Sequence, residues 1–320
     1  MAVVVPVKDR RDLLRETLTA LDQQEHRDFE VIVVDDGSTD GSAEVAASML
    51  VAGRPVRVLH SDGSGAVAAR IVGVAATDAE ILAFTDSDCI PAPDWLAIAV
   101  DRIGDGASLV HGRTVPARQV MPLERSMTEA GAGLFPTCNL AVARDAYDAV
   151  GGFDPNAHTR LRFRRSARAK GLGFGEDTLF GWAIARRSTA VYAEDMVVRH
   201  HVFPADLGET LGRSWQMGAF PALVREVPEL RRTLVRRGVL FGGRSRVPLY
   251  ATLAAVLARS PRLVAVALLW WALHRLRYSI RGTRLPLMEQ VEALPAQMLV
   301  DVVQASALVA GSARARVLLL

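Results

Sequence analysis

Short apolar runs alternate with amphipathic stretches over the first hundred residues. Leu13, Leu14, Leu18 and Leu21 fall on one face of the first amphipathic stretch, which is typical of a helix. The predicted strands are 2–5, 29–34, 56–59 and 80–85, and the predicted helices are 11–24, 42–52 and 66–76. Because these strands lack polar alternation, they are expected to be buried on both faces. The pattern therefore predicts an α/β fold with a doubly wound, mostly parallel sheet flanked by helices.

The pattern becomes less regular after about residue 105 and is helical from about residue 205. Further strands are predicted at 109–115 and 140–143, and a helix at 177–187. Two later apolar runs, 247–258 and 263–273, each have 12 or fewer residues. A helix of that length spans about 18 Å, against roughly 30 Å of hydrocarbon in a bilayer. We predict a first domain over 1–204 and a helical appendage over 205–320. Its apolar runs lie at a membrane interface or form a buried pair.

Charge divides the chain of 320 residues in the same place. Residues 1–200 hold 22 Lys and Arg against 28 Asp and Glu, whereas residues 201–320 hold 16 Arg against 7 acidic residues. A basic, partly apolar tail favours an anionic membrane surface as partner, and no nucleic acid is expected. Two cysteines supply neither a disulfide framework nor a zinc cluster, and no signal-peptide pattern is present. We expect a cytoplasmic protein, peripheral at the inner face of the cell membrane.

Acidic clusters directly follow two of the predicted buried strands. After the second strand, one carboxylate of Asp35 and Asp36 can accept hydrogen bonds from a base or ribose, while its neighbour fixes the loop. The alternative is a turn and helix cap without a ligand. After the strand at 80–85, Asp86 and Asp88 point the same way if the backbone stays extended. Their oxygens then suit Mg²⁺ or Mn²⁺ held jointly with a diphosphate.

The ordered motifs resemble those of family 2 glycosyltransferases, which have the GT-A fold. They are Val3-Val4-Val5-Pro6, Val33-Val34-Asp35-Asp36-Gly37-Ser38-Thr39-Asp40, Ala68-Ala69-Arg70, Phe84-Thr85-Asp86-Ser87-Asp88, Thr137-Cys138-Asn139-Leu140-Ala141, Gly151-Gly152-Phe153-Asp154 and Gly175-Glu176-Asp177-Thr178. The resemblance implies an inverting, metal-dependent enzyme that moves one sugar from a nucleotide-diphosphate sugar to an acceptor hydroxyl. The first domain would then be the nucleotide-sugar-binding and catalytic domain.

The resemblance also implies roles for individual residues. Donor contacts would come from Pro6, Asp35, Asp36, Arg70 and Asp86; metal ligands would be Asp88, Asp86 and His200; the acceptor side would hold Thr137, Asn139 and Trp215. Asp177 would be the catalytic base, and Glu176 would orient the loop. His201 stays open as an alternative to His200. The dipole of the helix that starts here is expected to lower the pKa of Asp177.

The sequence departs from the family in two places. Lys8-Asp9 stands where an aromatic–Asn pair is usual, which puts the nucleoside contacts of that loop in doubt. Arg213-Ser214-Trp215-Gln216 lacks the Gln-x-x-Arg-Trp order of processive synthases, so transfer of one sugar is expected. The tail favours a glycan or lipid-linked acceptor of the cell envelope. The basic segment 160–170 is either a loop that closes over a phosphate or a solvated loop.

Three other classes compete with this interpretation. A nucleotidyltransferase needs a Gly-rich basic loop after the first strand, which Pro6-Val7-Lys8-Asp9-Arg10 is not. A catalytically degenerate sugar-nucleotide-binding protein is opposed by the intact Asp88 and Asp177. A dinucleotide-dependent oxidoreductase needs a Gly-x-Gly-x-x-Gly motif after an early strand, and the chain has none there.

Overall fold

The computed structural model describes residues 1–121, 123–161, 174–236, 240–241, 246–282 and 286–320. The chain forms two compact units. The first comprises Met1–Arg118 and Ser126–His201, and the second comprises Gln119–Arg125 and Val202–Leu320. Compactness does not test which part carries catalysis, so the predicted domains 1–204 and 205–320 stay a prediction. Most of the basic segment 160–170 lies outside the described residues.

The first unit is built on an eight-stranded mixed sheet. Its strands are β1 (Ala2–Val7), β2 (Glu30–Asp35), β5 (Arg57–His60), β6 (Ile81–Phe84), β7 (Cys89–Pro91), β8 (Leu109–Pro116), β9 (Leu140–Ala143) and β10 (Ala190–His200), with a separate hairpin of β3 (Leu50–Val51) and β4 (Arg54–Pro55). The order in the sheet is β5-β2-β1-β6-β9-β8-β10-β7. β1, β2, β5 and β6 run parallel to one another, whereas β9 is antiparallel to both of its neighbours.

Helices cover both faces of this sheet. They are α1 (Arg11–Asp22), α2 (Ser42–Ala47), α3 (Ala66–Ala75), α4 (Trp95–Gly104), α5 (Arg144–Ala149), α6 (Ala157–Arg160) and α7 (Glu176–Ala185). Successive side chains of a strand point to opposite faces, so Val3 packs in one core with Leu14, and Val4 in another with Val74. Both cores are apolar, which explains why the strands read as continuous hydrophobic runs. The predicted doubly wound, mostly parallel sheet flanked by helices is confirmed.

The register places the acidic clusters at one edge of the sheet. β1 pairs in parallel with β2 up to Val7 and Asp35, and with β6 on its other side. β2 and β6 therefore lie on opposite sides of β1, and the order of the strands reverses direction at β1. The carboxyl ends of strands at such a switch point form a crevice in which ligands bind. Asp36 and Asp86 both follow strands that end there.

The prediction of a helix over 42–52 is wrong in its second half. α2 ends at Ala47, and residues 50–55 form the β3–β4 hairpin. Ala52 and Gly53 lie at the turn with φ of 53° and 76°. Positive φ at both central residues matches the twist of a tight hairpin, and glycine adopts it without steric cost. The hairpin with Gly53 at its turn thus takes the place of the helix that the alanines before it favour.

The second unit is mainly helical, as predicted from residue 205 onward. Its helices are α8 (Leu207–Gln216), α9 (Phe220–Glu226), α10 (Arg231–Leu234), α11 (Arg246–Leu257), α12 (Pro261–Gly282), α13 (Leu287–Glu292) and α14 (Leu294–Ala315), and β11 (Val235–Arg236) pairs with β12 (Leu240–Phe241). The two predicted apolar runs belong to α11 and α12, which are separated near Arg259 (φ 52°) and Pro261. Among the described residues, α14 is long and apolar enough to cross a membrane, by length and composition.

Candidate functional site

A cavity of about 410 Å³ opens at the carboxyl ends of β1 and β6 and at the start of α3. This volume lies within the range of small-molecule sites. Its polar lining comes from Lys8, Asp9, Arg10, Asp36, Arg70, Asp86, Ser87 and Asp88, and Pro6 lies beside them. The structure therefore brings together five of the residues predicted from the sequence, namely Pro6, Asp36, Arg70, Asp86 and Asp88.

Asp35 and Asp36 make different contacts, and Asp35 as a donor contact stays a prediction. Asp35 accepts a hydrogen bond from the backbone N–H of Ser38 at 3.1 Å and thereby fixes its own loop. Asp36 lines the cavity, where its two carboxylate oxygens accept bonds from Ser61 Oγ at 2.6 Å and from the N–H of Gly65 at 3.0 Å. These partners hold the Asp36 side chain in place at the cavity wall.

The loop after β1 contributes residues that sequence reasoning missed. Lys8 donates from Nζ to the carbonyl oxygen of Asp36 at 2.9 Å, and Asp9 Oδ1 accepts from the N–H of Thr39 at 2.7 Å. Arg10 also lines the cavity. The departure from the family's aromatic–Asn pair thus places a lysine and an aspartate at the cavity, and Arg10 beside them adds a second cation. Their position directly after the first strand was the signal that could have identified them.

Arg70, which is buried, and Asp86, which is half-buried, form an ion pair in the lining of the cavity. The guanidinium of Arg70, whose residue is 4% exposed, donates from Nη2 to Asp86 Oδ1. Burial opposes the charged form of Arg70, but the negative charges of Asp86 and Glu176 outweigh it and raise the pKa of Arg70. Arg70 also lies close enough to Asp177 to lower the pKa of that carboxyl. The structure therefore brings the predicted catalytic pair next to the predicted donor contacts.

The expected lowering of the Asp177 pKa by the helix dipole is wrong. Asp177 lies in the first turn of α7, after Gly175 with φ of 74°, and accepts from the N–H of Thr178 at 2.7 Å. Desolvation and the adjacent charge of Glu176 outweigh that bond and raise the pKa of Asp177 to about 8. A carboxyl with a pKa near neutrality is a stronger base when ionised than an ordinary aspartate.

The extended backbone expected for Asp86-Ser87-Asp88 is also wrong. Ser87 and Asp88 form a turn, in which Cys89 donates its N–H to the carbonyl of Asp86 at 3.1 Å. The turn directs the carboxylate of Asp86 to Arg70, whereas Asp88 Oδ1 lies 3.5 Å from His200 Nε2. Asp86 as a direct metal ligand stays a prediction. Asp88 and His200 are the pair that the structure brings together.

The electrostatics at Asp88 favour a cation. Burial and the nearby negative charge of Asp86 raise the pKa of Asp88. His200 presents the complementary atom: its Nδ1 lies 2.7 Å from the carbonyl oxygen of His201, a bond that requires the proton on Nδ1. Nε2 then carries the lone pair that a metal binds, and such a second hydrogen bond is typical of ligating histidines. His201 instead pairs with Glu16 at 3.0 Å.

Cys89 adds a third possible ligand atom. The ligand atoms of Asp88, Cys89 and His200 lie within 4.8 Å of one another, so the three residues could hold a metal ion. However, burial raises the pKa of the Cys89 thiol well above its usual value. Because the thiolate is the form that binds metals, and because Mg²⁺ and Mn²⁺ prefer oxygen ligands, Asp88 and His200 fit the ion better.

Two of the predicted acceptor-side residues, Thr137 and Asn139, lie in one 3₁₀ turn of the first unit. Asn139 is wholly buried: its amide donates to the carbonyls of Arg113 and Met196 and accepts from Trp95 Nε1. All of its bonds serve the fold, so we leave Asn139 out of the proposed acceptor side. Thr137 is 6% exposed in the first unit. Trp215 belongs to the second unit, where half of its surface is exposed.

Sequence comparison shows which proteins this chain is similar to. The family model described as "Glycosyl transferase family 2" matches residues 2–172. The chain is 28% identical to the glycosyltransferase AglE of Haloferax volcanii over 68% of this chain and 71% of that protein. It is 27% identical to the pre-mycofactocin glycosyltransferase of Mycobacterium tuberculosis over 75% of this chain, but spans only about half of that protein, at 51%.

Structural comparison shows the fold. The mannosyltransferase PcManGT of Pyrobaculum calidifontis, solved in complex with GDP-Man and Mn²⁺, superposes with a TM-score of 0.57 at 18% identity, covering 98% of this chain and 86% of that one. TarS 1-349 of S. aureus, in complex with UDP-GlcNAc, gives a TM-score of 0.51 at 14% identity, covering 98% and 91%. The predicted GT-A fold is confirmed by these neighbours.

Proposed function

Because this chain belongs to glycosyl transferase family 2, we propose that it moves one sugar from a nucleotide-diphosphate sugar to an acceptor hydroxyl with inversion at the anomeric carbon. The chain is a glycosyltransferase of that family. The observation that carries the finer proposal is the cavity in which Asp36, Arg70 and Asp88 meet near Asp177. Its two ends differ in chemistry, as a donor with a nucleoside and a diphosphate requires.

The nucleoside end of the cavity lies between Pro6 and Asp36. Asp36 is held by Ser61 and Gly65, so its carboxylate is positioned before a ligand arrives. Lys8 has three donors, of which one is used on the Asp36 carbonyl. Carboxylate and ammonium together suit a ribose or base that offers both donors and acceptors. Asp35 supports this end by fixing the loop after β2.

The other end of the cavity fits a divalent metal and a diphosphate. Asp88 and His200 would hold Mn²⁺ or Mg²⁺, since one offers a hard oxygen and the other a neutral imidazole nitrogen. When bound, the ion would neutralise charge on the departing diphosphate. Arg10 lines the same cavity and lowers the pKa of Asp88, so it adds a positive charge at this end.

The proposed chemistry is a single displacement in which Asp177 is the base. The acceptor oxygen attacks the anomeric carbon and forms the new glycosidic bond, while the bond from that carbon to the diphosphate oxygen breaks with its electron pair. Asp177 takes the hydroxyl proton. Its pKa of about 8 means that it holds a proton at rest near neutral pH and is a competent base once ionised. Burial raises this pKa most, and the negative charge of Glu176 raises it further.

The second unit and the relatives support a proposal for the acceptor and the cellular location. PcManGT was solved with GDP-Man, and TarS 1-349 with UDP-GlcNAc, so both guanosine and uridine donors are candidates for this chain. The basic, apolar C-terminal region supports a glycan or lipid-linked acceptor of the cell envelope and a peripheral position at the cytoplasmic face of a membrane. Thr137 and Trp215 remain the proposed acceptor-side residues.

A donor screen tests the proposed function. Calorimetry with UDP-, GDP- and dTDP-sugars in Mn²⁺ should identify one donor that binds. Incubation of that donor with candidate lipid-linked or glycan acceptors should give a product with a single added sugar, and proton NMR should show the opposite anomeric configuration from the donor. Retained configuration or a ladder of additions would contradict the mechanism. Failure of every donor to bind in the presence of metal would contradict the site.

A further inference from the structure

A groove of about 600 Å³ runs between α11 and α14 in the second unit. Its apolar lining includes Leu249, Leu253 and Val256 from α11, and Val302, Ala305 and Val309 from α14. The spacing of three or four residues along each helix places these side chains on one face. The two faces form the opposite walls of one apolar groove, whose volume is that of a small-molecule site.

The walls of this groove are open to solvent. Leu253 is 58% exposed, Val256 53% and Val309 50%. Leu263 and Val266 of α12 are exposed as well. An exposed apolar groove of this kind is unusual on a protein that works alone in water, and marks a surface that something else covers.

Two exposed arginines near the end of α11 indicate what covers the groove. Arg259 and Arg262 are exposed where α11 meets α12, within a region, residues 201–320, whose sequence carries 16 Arg against 7 acidic residues. A second copy of the chain would bring one basic surface against another, which costs free energy through like-charge repulsion. An anionic bilayer offers hydrocarbon to the apolar walls and negative headgroups to the arginines. Trp270, half exposed on α12, suits the level between the two.

We propose that the groove between α11 and α14 binds one hydrocarbon chain of an anionic membrane lipid. The proposal rests on the membrane contact in the proposed function, but not on sugar transfer. The groove also contains a polar contact for such a ligand. The hydroxyl of Tyr250, a lining residue, is buried and has no hydrogen-bond partner among the described residues. The Tyr250 hydroxyl can donate a hydrogen bond to the ester oxygen of the lipid's acyl chain. A hydrocarbon without an ester has no such acceptor.

Two tryptophan variants of α14 separate the groove from the rest of the surface. Ala310→Trp fills the groove, because Ala310 is one of its lining residues. Ala313→Trp is the matched control, because Ala313 is exposed on the same helix and does not line the groove. Both variants add the same side chain, so a general effect of tryptophan on membrane binding is shared. Circular dichroism melts of the full chain check that both variants fold.

The measurement combines vesicle flotation with photocrosslinking to phosphatidylglycerol that carries a diazirine in its acyl chain. The full-length wild type should float with the vesicles and crosslink within α11 and α14. Ala310→Trp should float, but its crosslinking yield should be about tenfold lower, which corresponds to about 1.4 kcal/mol of binding free energy. Ala313→Trp should match the wild type. Equal crosslinking in both variants, or crosslinks between two copies of the chain, would overturn the groove proposal while flotation persists. A wild type that does not float overturns both the groove and the membrane contact, and leaves sugar transfer to the donor screen.

Discussion

The two compact units treat charge and apolar surface in opposite ways. In the first unit, apolar side chains fill the cores on both faces of the sheet, and charged side chains converge on one cavity. In the second unit, the carboxylate of Asp301 is buried against Trp271 and Arg275, while leucines and valines of α11 and α12 face outward. The first unit therefore gathers charge around a cavity, whereas the second exposes apolar side chains to solvent.

The difference teaches what kind of ligand each unit accepts. Raised pKa values of Asp88 and Asp177 show that the first unit holds carboxyl groups where their charge is disfavoured without a ligand. A cation or an acidic proton relieves that cost. The exposed apolar groove of the second unit lowers its free energy only by contact with hydrocarbon. We therefore expect a polar, charged ligand for the first unit and an apolar one for the second.

The largest expected effect in the first unit is that of Asp177→Asn. Removal of the base should slow sugar transfer about 10³-fold, within the usual 10²–10⁴ contribution of a positioned base. Donor binding should persist, because Asp177 takes a proton and does not hold the donor. Initial rates and calorimetry on the same preparation check both statements. If the affinity for the donor falls by the same factor as the transfer rate, Asp177 is a binding residue and not the base.

In the second unit, the largest expected effect is on stability, and Asp301→Ala should cause it. It leaves Arg275 and the indole N–H of Trp271 without their carboxylate partner, so we expect a loss of about 3 kcal/mol in the free energy of unfolding. Hydrogen exchange should rise in α12 and α14. The matched control is Asp206→Ala, which removes the exposed cap of α8 and should cost only about 1 kcal/mol. Equal losses in the two variants would mean that the buried pair contributes little.

The metal site is tested by Asp88→Ala against Cys89→Ala. Mn²⁺ affinity, measured by electron paramagnetic resonance, should fall at least about 100-fold in Asp88→Ala. Cys89→Ala should leave it within about threefold, because burial keeps the thiol protonated. If the cysteine variant loses Mn²⁺ and the aspartate variant keeps it, the assignment of ligands is reversed.

The smallest expected effect tests how Glu176 changes the pKa of Asp177 in the first unit. The base must be ionised, so the transfer rate rises with pH through the pKa of Asp177. Glu176 raises that pKa, and Glu176→Gln removes its charge. The pKa should fall, and the acidic limb of the pH–rate profile should move to lower pH by about one unit. A limb that stays in place or moves upward would show that Glu176 does not set the pKa of the base.

Much of the fold and part of the site could be predicted because they depend on local pattern. The apolar runs that became β1, β2 and β6 are buried on both faces, and parallel pairing alone brings the acidic residues after them to one edge. The turn at Gly53 was harder to predict, because the alanines before it continue a helical pattern. The length of β10, from Ala190 to His200, was also not predicted, since acidic Glu194 and Asp195 interrupt its apolar run.

The remaining features depend on contacts between distant segments. The direction of the Asp177 pKa shift is set by burial that a helix position does not reveal. Asn139 resembles a surface motif residue, yet Trp95 and Met196 enclose it. The turn at Asp88 is closed by the hydrogen bond from the N–H of Cys89 to the carbonyl of Asp86, which the apolar run of the preceding strand does not reveal. In each case the three-dimensional neighbourhood outweighs the local sequence.

The most direct test of the central claim is the coupling between metal and nucleotide. Mn²⁺ affinity should be measured in the wild type with and without the nucleoside diphosphate of the donor identified by the screen. If Asp88 and His200 hold an ion that the diphosphate shares, each ligand should tighten the other by the same factor, about tenfold or more, and Asp88→Ala should abolish the coupling. Nucleotide binding that is equally tight without metal would contradict the account of the cavity.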